Sequence, residues 1–128
     1  MYQLLKKVNL PFDGVEDNLE NFFVIRANEK IIGSIGVELY DNDGLIRSVA
    51  IDPSFQNQGL GHRLLIRIQQ YSLEKGLKRL FLLTDTAESF FQRFDFQIIS
   101  RDNVKSNITQ SIEFTQLCPS SALLEKQL

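Results

Sequence analysis

The spacing of apolar positions changes several times along the 128 residues, and each change marks an element. Phe23-Val24-Ile25 and Ile31-Ile32-Gly33 are short apolar runs on either side of Ala27-Asn28-Glu29-Lys30, which reads as two strands and a polar turn. From Ile35 to Tyr40 the chain alternates, with Ile35, Val37 and Leu39 on one side and Gly36, Glu38 and Tyr40 on the other. Asp41-Asn42-Asp43-Gly44 is a turn signal, so Ile31–Tyr40 and Leu45–Ile51 are expected to form an antiparallel hairpin closed by Pro53. The period then lengthens to that of a helix starting near Gln58. Leu60, Leu64, Leu65, Ile68 and Tyr71 form an apolar stripe opposite Arg63, Arg67, Gln70 and Glu74, and Gly76 is placed to end the helix as a left-handed cap. Arg79–Thr84, containing Leu80-Phe81-Leu82-Leu83, reads as a buried strand. Strand, helix and strand in that order make a right-handed crossover, so Leu45–Ile51 and Arg79–Thr84 should run parallel.

The ends carry weaker patterns. The first residues read as the end of a short helix stopped by Asn9-Leu10-Pro11, and a second short helix is expected over Val15–Phe22, with Asp13 or Gly14 near its start. After Thr84 come a short helix over Ala87–Phe94, a strand over Phe96–Ile99 and a strand near Ser111–Phe114; the tail from Ser120 is left unassigned. The fold class is α/β (α+β), a mixed sheet with helices on both faces, in a single domain.

Composition narrows the function. Hydrophobic residues at 43% and charged ones at 23% describe an ordinary globular chain, able to build a core without disulfides or metals. A net charge of -2 leaves no basic surplus for nucleic acid, and Lys6-Lys7 and Lys78-Arg79 read as solvated surface. Cys118 is the single cysteine, so neither an internal disulfide nor a cysteine-rich zinc site is open to it, and His62 is the single histidine that a nucleophilic thiol would need. No cluster has metal-ligand spacing, so no metal is expected. Apolar runs are too short to span a membrane and the N-terminus lacks the order of a signal peptide. A reducing cytoplasm is the expected location.

The most informative segment is Gln56-Asn57-Gln58-Gly59-Leu60-Gly61, between a strand and a strongly patterned helix. Such a turn presents free backbone N–H groups and the positive end of the helix dipole, which together suit a diphosphate. Gly59 and Gly61 lack the Cβ atoms that would hold ligand oxygens off the main chain. If the two parallel strands splay apart, the main chain of Val49, Ala50 and Ile51 is left without ladder partners, and an extended amide-bearing ligand could pair with it like an added strand. The pantetheine arm of coenzyme A is such a ligand. No Lys-Ser/Thr follows the glycines, which argues against a phosphate-loop nucleoside triphosphatase.

These residues carry a family resemblance. Leu45 to Phe96 resembles the GCN5-related N-acetyltransferases, whose coenzyme A signature Gln/Arg-x-x-Gly-x-Gly/Ala stands here as Gln56 to Gly61. Ser48-Val49-Ala50-Ile51-Asp52-Pro53 precedes it and Phe90-Phe91-Gln92-Arg93-Phe94-Asp95-Phe96 follows. Glu38, Arg47-Ser48-Val49-Ala50, Leu82-Leu83-Thr84-Asp85-Thr86-Ala87 and Phe114-Thr115-Gln116-Leu117-Cys118-Pro119-Ser120-Ser121-Ala122 look like the arsenic-resistance-associated branch. Its members are implied to acetylate the α-amine of organoarsenical or phosphinic analogues of glutamate. The resemblance implies a mostly antiparallel sheet with one splayed parallel pair, and acetyl-CoA as cofactor. Family members begin with a strand and a full first helix, whereas this chain starts partway into that helix, so the N-terminal strand is expected to be missing. Many relatives carry a thiolate-protonating tyrosine where Phe91 stands, and glycine where Asp95 stands.

The implied roles follow residue by residue. Acetyl-CoA is expected along Val49, Ala50, Ile51, Gln56, Asn57, Gln58, Gly59, Leu60 and Gly61, with Phe90 and Phe91 as a wall beside the pantetheine or as core. The backbone N–H of Val49 or Ala50 is the candidate oxyanion donor. Glu38 is the candidate base or amine ligand, with a solvated carboxylate as the plain alternative. Arg47 shares a face with Val49 and Ile51 by simple alternation and either grips a substrate carboxylate or forms an ion pair with Glu38. Thr84 is expected at the acceptor pocket, and Asp85 or Thr86 as a helix cap. His62 either touches a phosphate or is plain surface. The partner is a small-molecule amine; an uncovered sheet edge suits a homodimer. The alternative function is an acetyl-CoA-binding module without catalysis, motivated by Phe91 and the short N-terminus.

Overall fold

In a computed structural model, residues 2–7, 19–111, 113–117 and 120–128 are described. The expected helix at 15–22 falls largely outside them, as does Cys118. Its end departs from expectation: Leu19, Glu20 and Asn21 form a 3-10 turn and Phe22 already belongs to a strand. The elements are α1 (Tyr2–Lys7), β1 (Phe22–Ala27), β2 (Lys30–Tyr40), β3 (Asp43–Ile51), α2 (Leu60–Glu74), β4 (Arg79–Thr84), α3 (Glu88–Gln92), β5 (Gln97–Ile99) and β6 (Ala122–Gln127). Short 3-10 segments at Arg101–Asn103 and Asn107–Gln110 and one wide helical turn, Glu113–Leu117, connect β5 to β6. No described helix is long and apolar enough to cross a membrane.

The strands form one six-stranded sheet in the order β1-β2-β3-β4-β6-β5. Among the described residues only β3 and β4 run parallel, and every other pair is antiparallel. Tight two-residue turns set the first hairpins. Asn28 and Glu29 both take positive φ (51° and 67°), which matches the right-handed twist of the strands they join. α2 covers one face over Ile35, Val37, Ile46, Leu80, Leu82 and Leu124. α1, through Leu4 and Leu5 on Ala50, and Ile108 of the later 3-10 segment cover the other. Gly76 ends α2 as expected: at φ +80° its N–H donates to the carbonyl of Leu73 (3.0 Å), and that of Leu77 to Ser72 (3.0 Å).

The strand expected near Ser111–Phe114 is a helical turn instead. Ser111 Oγ accepts from the Phe114 N–H (3.1 Å) and Thr115 Oγ1 donates to the Ser111 carbonyl (2.9 Å), so local side-chain bonds satisfy backbone that a sheet ladder would otherwise use. The last strand lies in the tail, at Ala122–Gln127. It sits between β4 and β5, where Leu123 and Leu124 are buried on opposite faces.

α1 is tied to the loop that follows β3. The buried Asp52 carboxylate accepts from the Ser54 N–H (2.9 Å) and from Lys7 Nζ (3.1 Å), and pairs with Lys30 Nζ (3.3 Å). The Ser54 bond, then the two lysines, hold its pKa down to about 2. A depressed carboxyl pKa stabilises the fold above the ordinary value near 3.8, and that stabilisation is lost as pH falls through about 2. Asp52→Asn is therefore expected to lower the melting temperature by a constant amount from pH 8 to about 4. The gap to wild type should then close on further acidification, as followed by circular dichroism; a gap that persists at pH 2 would deny the ionic tie.

Candidate active site

The parallel pairing of β3 and β4 runs from Asp43↔Arg79 to Ile46↔Leu82 and then stops. Beyond that point, among the described residues, no strand pairs with Arg47–Ile51 on its β4 side. The cause is visible in β3. Between Gly36↔Arg47 and Ser34↔Ala50 the register with β2 slips by one residue, and Ser48 takes φ +57°, a β-bulge that bends the strand away from its neighbour. Ser34 Oγ donates to the Ser48 carbonyl (2.7 Å) and braces the bend.

The bulge also overturns one expectation. Simple alternation puts Arg47 on the face of Val49 and Ile51, but the extra residue breaks the two-residue period. Val49 and Ile51 pack with the core under α2, whereas Arg47 lies opposite Gly36, on the Glu38 face.

A cavity of about 960 Å³ occupies the opening. Its β3 wall is Arg47, Ser48, Val49 and Ile51; its floor is Gln56, Asn57, Gly59, Leu60, Gly61 and His62; its far wall is Thr84, Asp85, Phe90, Phe91 and Ser121. The strand edge and the helix start that the sequence singled out therefore meet in one space. Ala50 and Gln58 do not line it: Ala50 is buried against α1, and Gln58 is exposed. Gly59 is the N-cap of α2 at φ +76°, with no side-chain cap bond and nothing within 4 Å of where a Cβ would stand. The first-turn N–H groups of α2 have no intrahelical acceptor, and Gly59, Leu60 and Gly61 line the cavity.

Thr84, rather than Asp85 or Thr86, caps the turn into α3: its Oγ1 accepts from the N–H groups of Thr86 (3.4 Å) and Ala87 (3.0 Å). Asp85 instead accepts from Ser121 Oγ (2.7 Å), tying the end of β4 to the start of β6. Phe91 is core as well as wall, packing edge-on against Phe90 and Phe96 at 5.1 and 5.7 Å. His62 stacks on Phe94 at 4.7 Å. Asp95 adopts the left-handed conformation (φ +72°) that glycine takes most easily.

Behind the β3 wall lies a buried charge cluster. Arg47 Nη1 pairs with Glu38 Oε2 (3.3 Å) and with Glu113 Oε1, and Nε donates to Ser48 Oγ (3.1 Å). Tyr40 donates its hydroxyl to Glu38 Oε1 (3.1 Å), and burial followed by the Glu38 charge raises the phenol's pKa, so it stays protonated. Glu38 is 6% exposed and does not border the cavity, whereas Arg47 does. Burial, then the adjacent Glu38 carboxyl, pushes Glu113 up to about 7 against the pull of Arg47. Glu113 was not anticipated. It lies in the segment expected to be a strand near Ser111–Phe114, and only the fold brings it beside Arg47.

The sheet is splayed at its parallel pair, and a helix whose N-cap is Gly59 closes the opening. Residues 18–98 match the model of the acetyltransferase (GNAT) domain, and the chain belongs to that family. It is 33% identical over 92 residues to an amino-acid acetyltransferase of Mycobacterium tuberculosis, covering 71% of this chain and 49% of the relative. It is 31% identical over 85 residues to one from Pseudomonas fluorescens, covering 65% of this chain and 20% of that protein. The chain thus spans about half, or about a fifth, of the relatives it matches. N-acetylglutamate synthase from Neisseria gonorrhoeae, solved with coenzyme A and N-acetyl-glutamate, shares the fold at TM-score 0.81 and 22% identity, over 98% of this chain and 31% of that one.

Proposed function

We propose that the protein is an acetyl-CoA-dependent N-acetyltransferase acting on the α-amine of a small amino acid. One observation carries this reading: the unpaired β3 edge and the uncapped start of α2 open into the same cavity. An extended pantetheine amide arm suits the first and a diphosphate the second. Acetyl-CoA supplies the thioester; the chain's residues bind and orient it. The β3 main chain at Val49 is the donor for the carbonyl oxygen as it gains charge. Arg47 receives the acceptor's carboxylate from the cavity side. Glu38, set back from the cavity, acts through Arg47 by fixing its position, and the amine's proton leaves to solvent. Phe91 has no proton to give, so the departing thiolate takes its proton from water. The acceptor's finer identity is proposed to be glutamate or a phosphinic or arsenical analogue of it. The similarity to the amino-acid acetyltransferase of Mycobacterium tuberculosis supports an amino acid as acceptor.

The test combines stability and turnover. Acetyl-CoA at ~100 times its dissociation constant should stabilise the fold by roughly 2.7 kcal/mol in thermal unfolding. Thiol release should then follow with L-glutamate or phosphinothricin within a panel of amino acids and simple amines. A thermal shift with no thiol release would mark a cofactor-binding module, the reading that the missing phenol at Phe91 favours. No shift would sink the cofactor assignment.

A further inference from the structure

Glu113 opens the wide turn Glu113–Leu117 and is buried, 5% exposed, yet neither of its oxygens has a hydrogen-bond partner among the described residues. A buried carboxylate ordinarily collects several donors. Among the described residues its ion-pair partner is Arg47, through Oε1 and Nη1, and the Glu38 carboxyl stands beside it. Its frame, by contrast, is well held. Arg101 donates from Nη1 to the Ser121 carbonyl (2.8 Å) and from Nη2 to the Phe114 carbonyl (2.6 Å), and its guanidinium lies 4.3 Å from the centre of the Phe114 ring. The turn is clamped in place, and the carboxylate it presents is paired, among the described residues, with Arg47.

That cation is shared with the cavity. Arg47 lines the opening and Glu113 does not, so Arg47 belongs both to the cavity wall and to the pair with Glu113. The groups facing Glu113 are Arg47 from β3 and Glu38 and Tyr40 from β2. With both carboxylates ionised the cluster carries one net negative charge. An acceptor carboxylate seated on Arg47 would add a second in a buried place, where like charges are expensive. Taking up one proton restores the original charge.

We propose that Glu113 is a built-in competitor for Arg47: the acceptor's carboxylate takes over the guanidinium, and Glu113 yields it by accepting one proton. The inference rests on the amino-acid acceptor proposed above. Its chemistry is balanced by one proton drawn from solvent per acceptor bound, the oxygen of Glu113 becoming a hydroxyl able to donate to Glu38. The pKa near 7 places that exchange within reach at neutral pH. The arrangement also sets specificity, because an amine without a carboxylate cannot displace Glu113.

The experiment uses glutarate, a dicarboxylate without an amine, as a competitive inhibitor against L-glutamate. Only protonated Glu113 admits the anion, so the wild-type inhibition constant should rise about 15-fold from pH 7 to 8.5. In Glu113→Gln, which matches the neutral form in shape, the profile should be flat over that range. Calorimetry in two buffers at pH 8 should show about one more proton taken up per glutamate bound by wild type than by the variant. A flat wild-type glutarate profile, or absence of glutarate inhibition while glutamate is still acetylated, overturns the inference and leaves the transferase standing. Failure of wild type to acetylate any amino acid overturns both.

Discussion

Arg47→Ala is expected to destabilise the fold at pH 8 by about 3–5 kcal/mol, because removing one member of a buried ion pair strands the charge of the others. Glu38 and Glu113 would then stand in the same buried cluster with no guanidinium between them. The loss should depend on pH, and the sign is fixed. In wild type Glu113 already sits up at about 7, against an ordinary 4.5, so its folded form binds a proton the unfolded chain has lost and stability declines as pH rises across that window. Without Arg47 the carboxylates hold protons still more tightly, and one can bond the other. The deficit relative to wild type should therefore be largest above pH 7 and narrow toward pH 5. Urea denaturation at pH 5.5, 7 and 8.5 would show it. A small loss that does not change with pH would mean the carboxylates do not depend on Arg47. In turnover the same variant should raise the KM of the amino acid far more than that of acetyl-CoA; equal effects would contradict the carboxylate site.

The centre of the fold was legible because its residues state their period plainly. The alternation at Ile35–Tyr40, the helical stripe from Leu60 to Tyr71 and the glycine at 76 each satisfy one local rule, and tertiary packing agrees with all of them. The splay was foreseen in outline, but its device was not. The bulge at Ser48 inserts a residue without any Gly or Pro to announce it, so Arg47 was assigned to the wrong face. The same blindness hid Glu113, whose role depends on a contact with β3 across a large gap in sequence. Thr84 lines the cavity, and its hydroxyl also closes the turn into α3, a task that Asp85 and Thr86 suited equally well by residue type. The last strand was missed because its two buried leucines are followed by Glu125 and Lys126, a pattern too short to separate a strand from a tail.

Gly59→Val is expected to raise the KM of acetyl-CoA at least ~100-fold, a loss of about 2.7 kcal/mol in binding. Two separate effects follow from adding a side chain here. At φ +76° any β-branched residue is strained by about 1–2 kcal/mol. The new atoms would also enter the space where no protein atom stands within 4 Å, which is where the proposed diphosphate meets the start of α2. Gly76 separates the two. It has φ +80° and equally open surroundings, but it lies at the other end of the same helix and does not border the cavity. Gly76→Val should therefore cost similar stability in thermal unfolding while leaving the KM of acetyl-CoA near wild type. If both variants lost the cofactor alike, strain in α2 would explain the loss and the diphosphate assignment would fall. If neither did, the start of α2 would not be where the cofactor's phosphates bind.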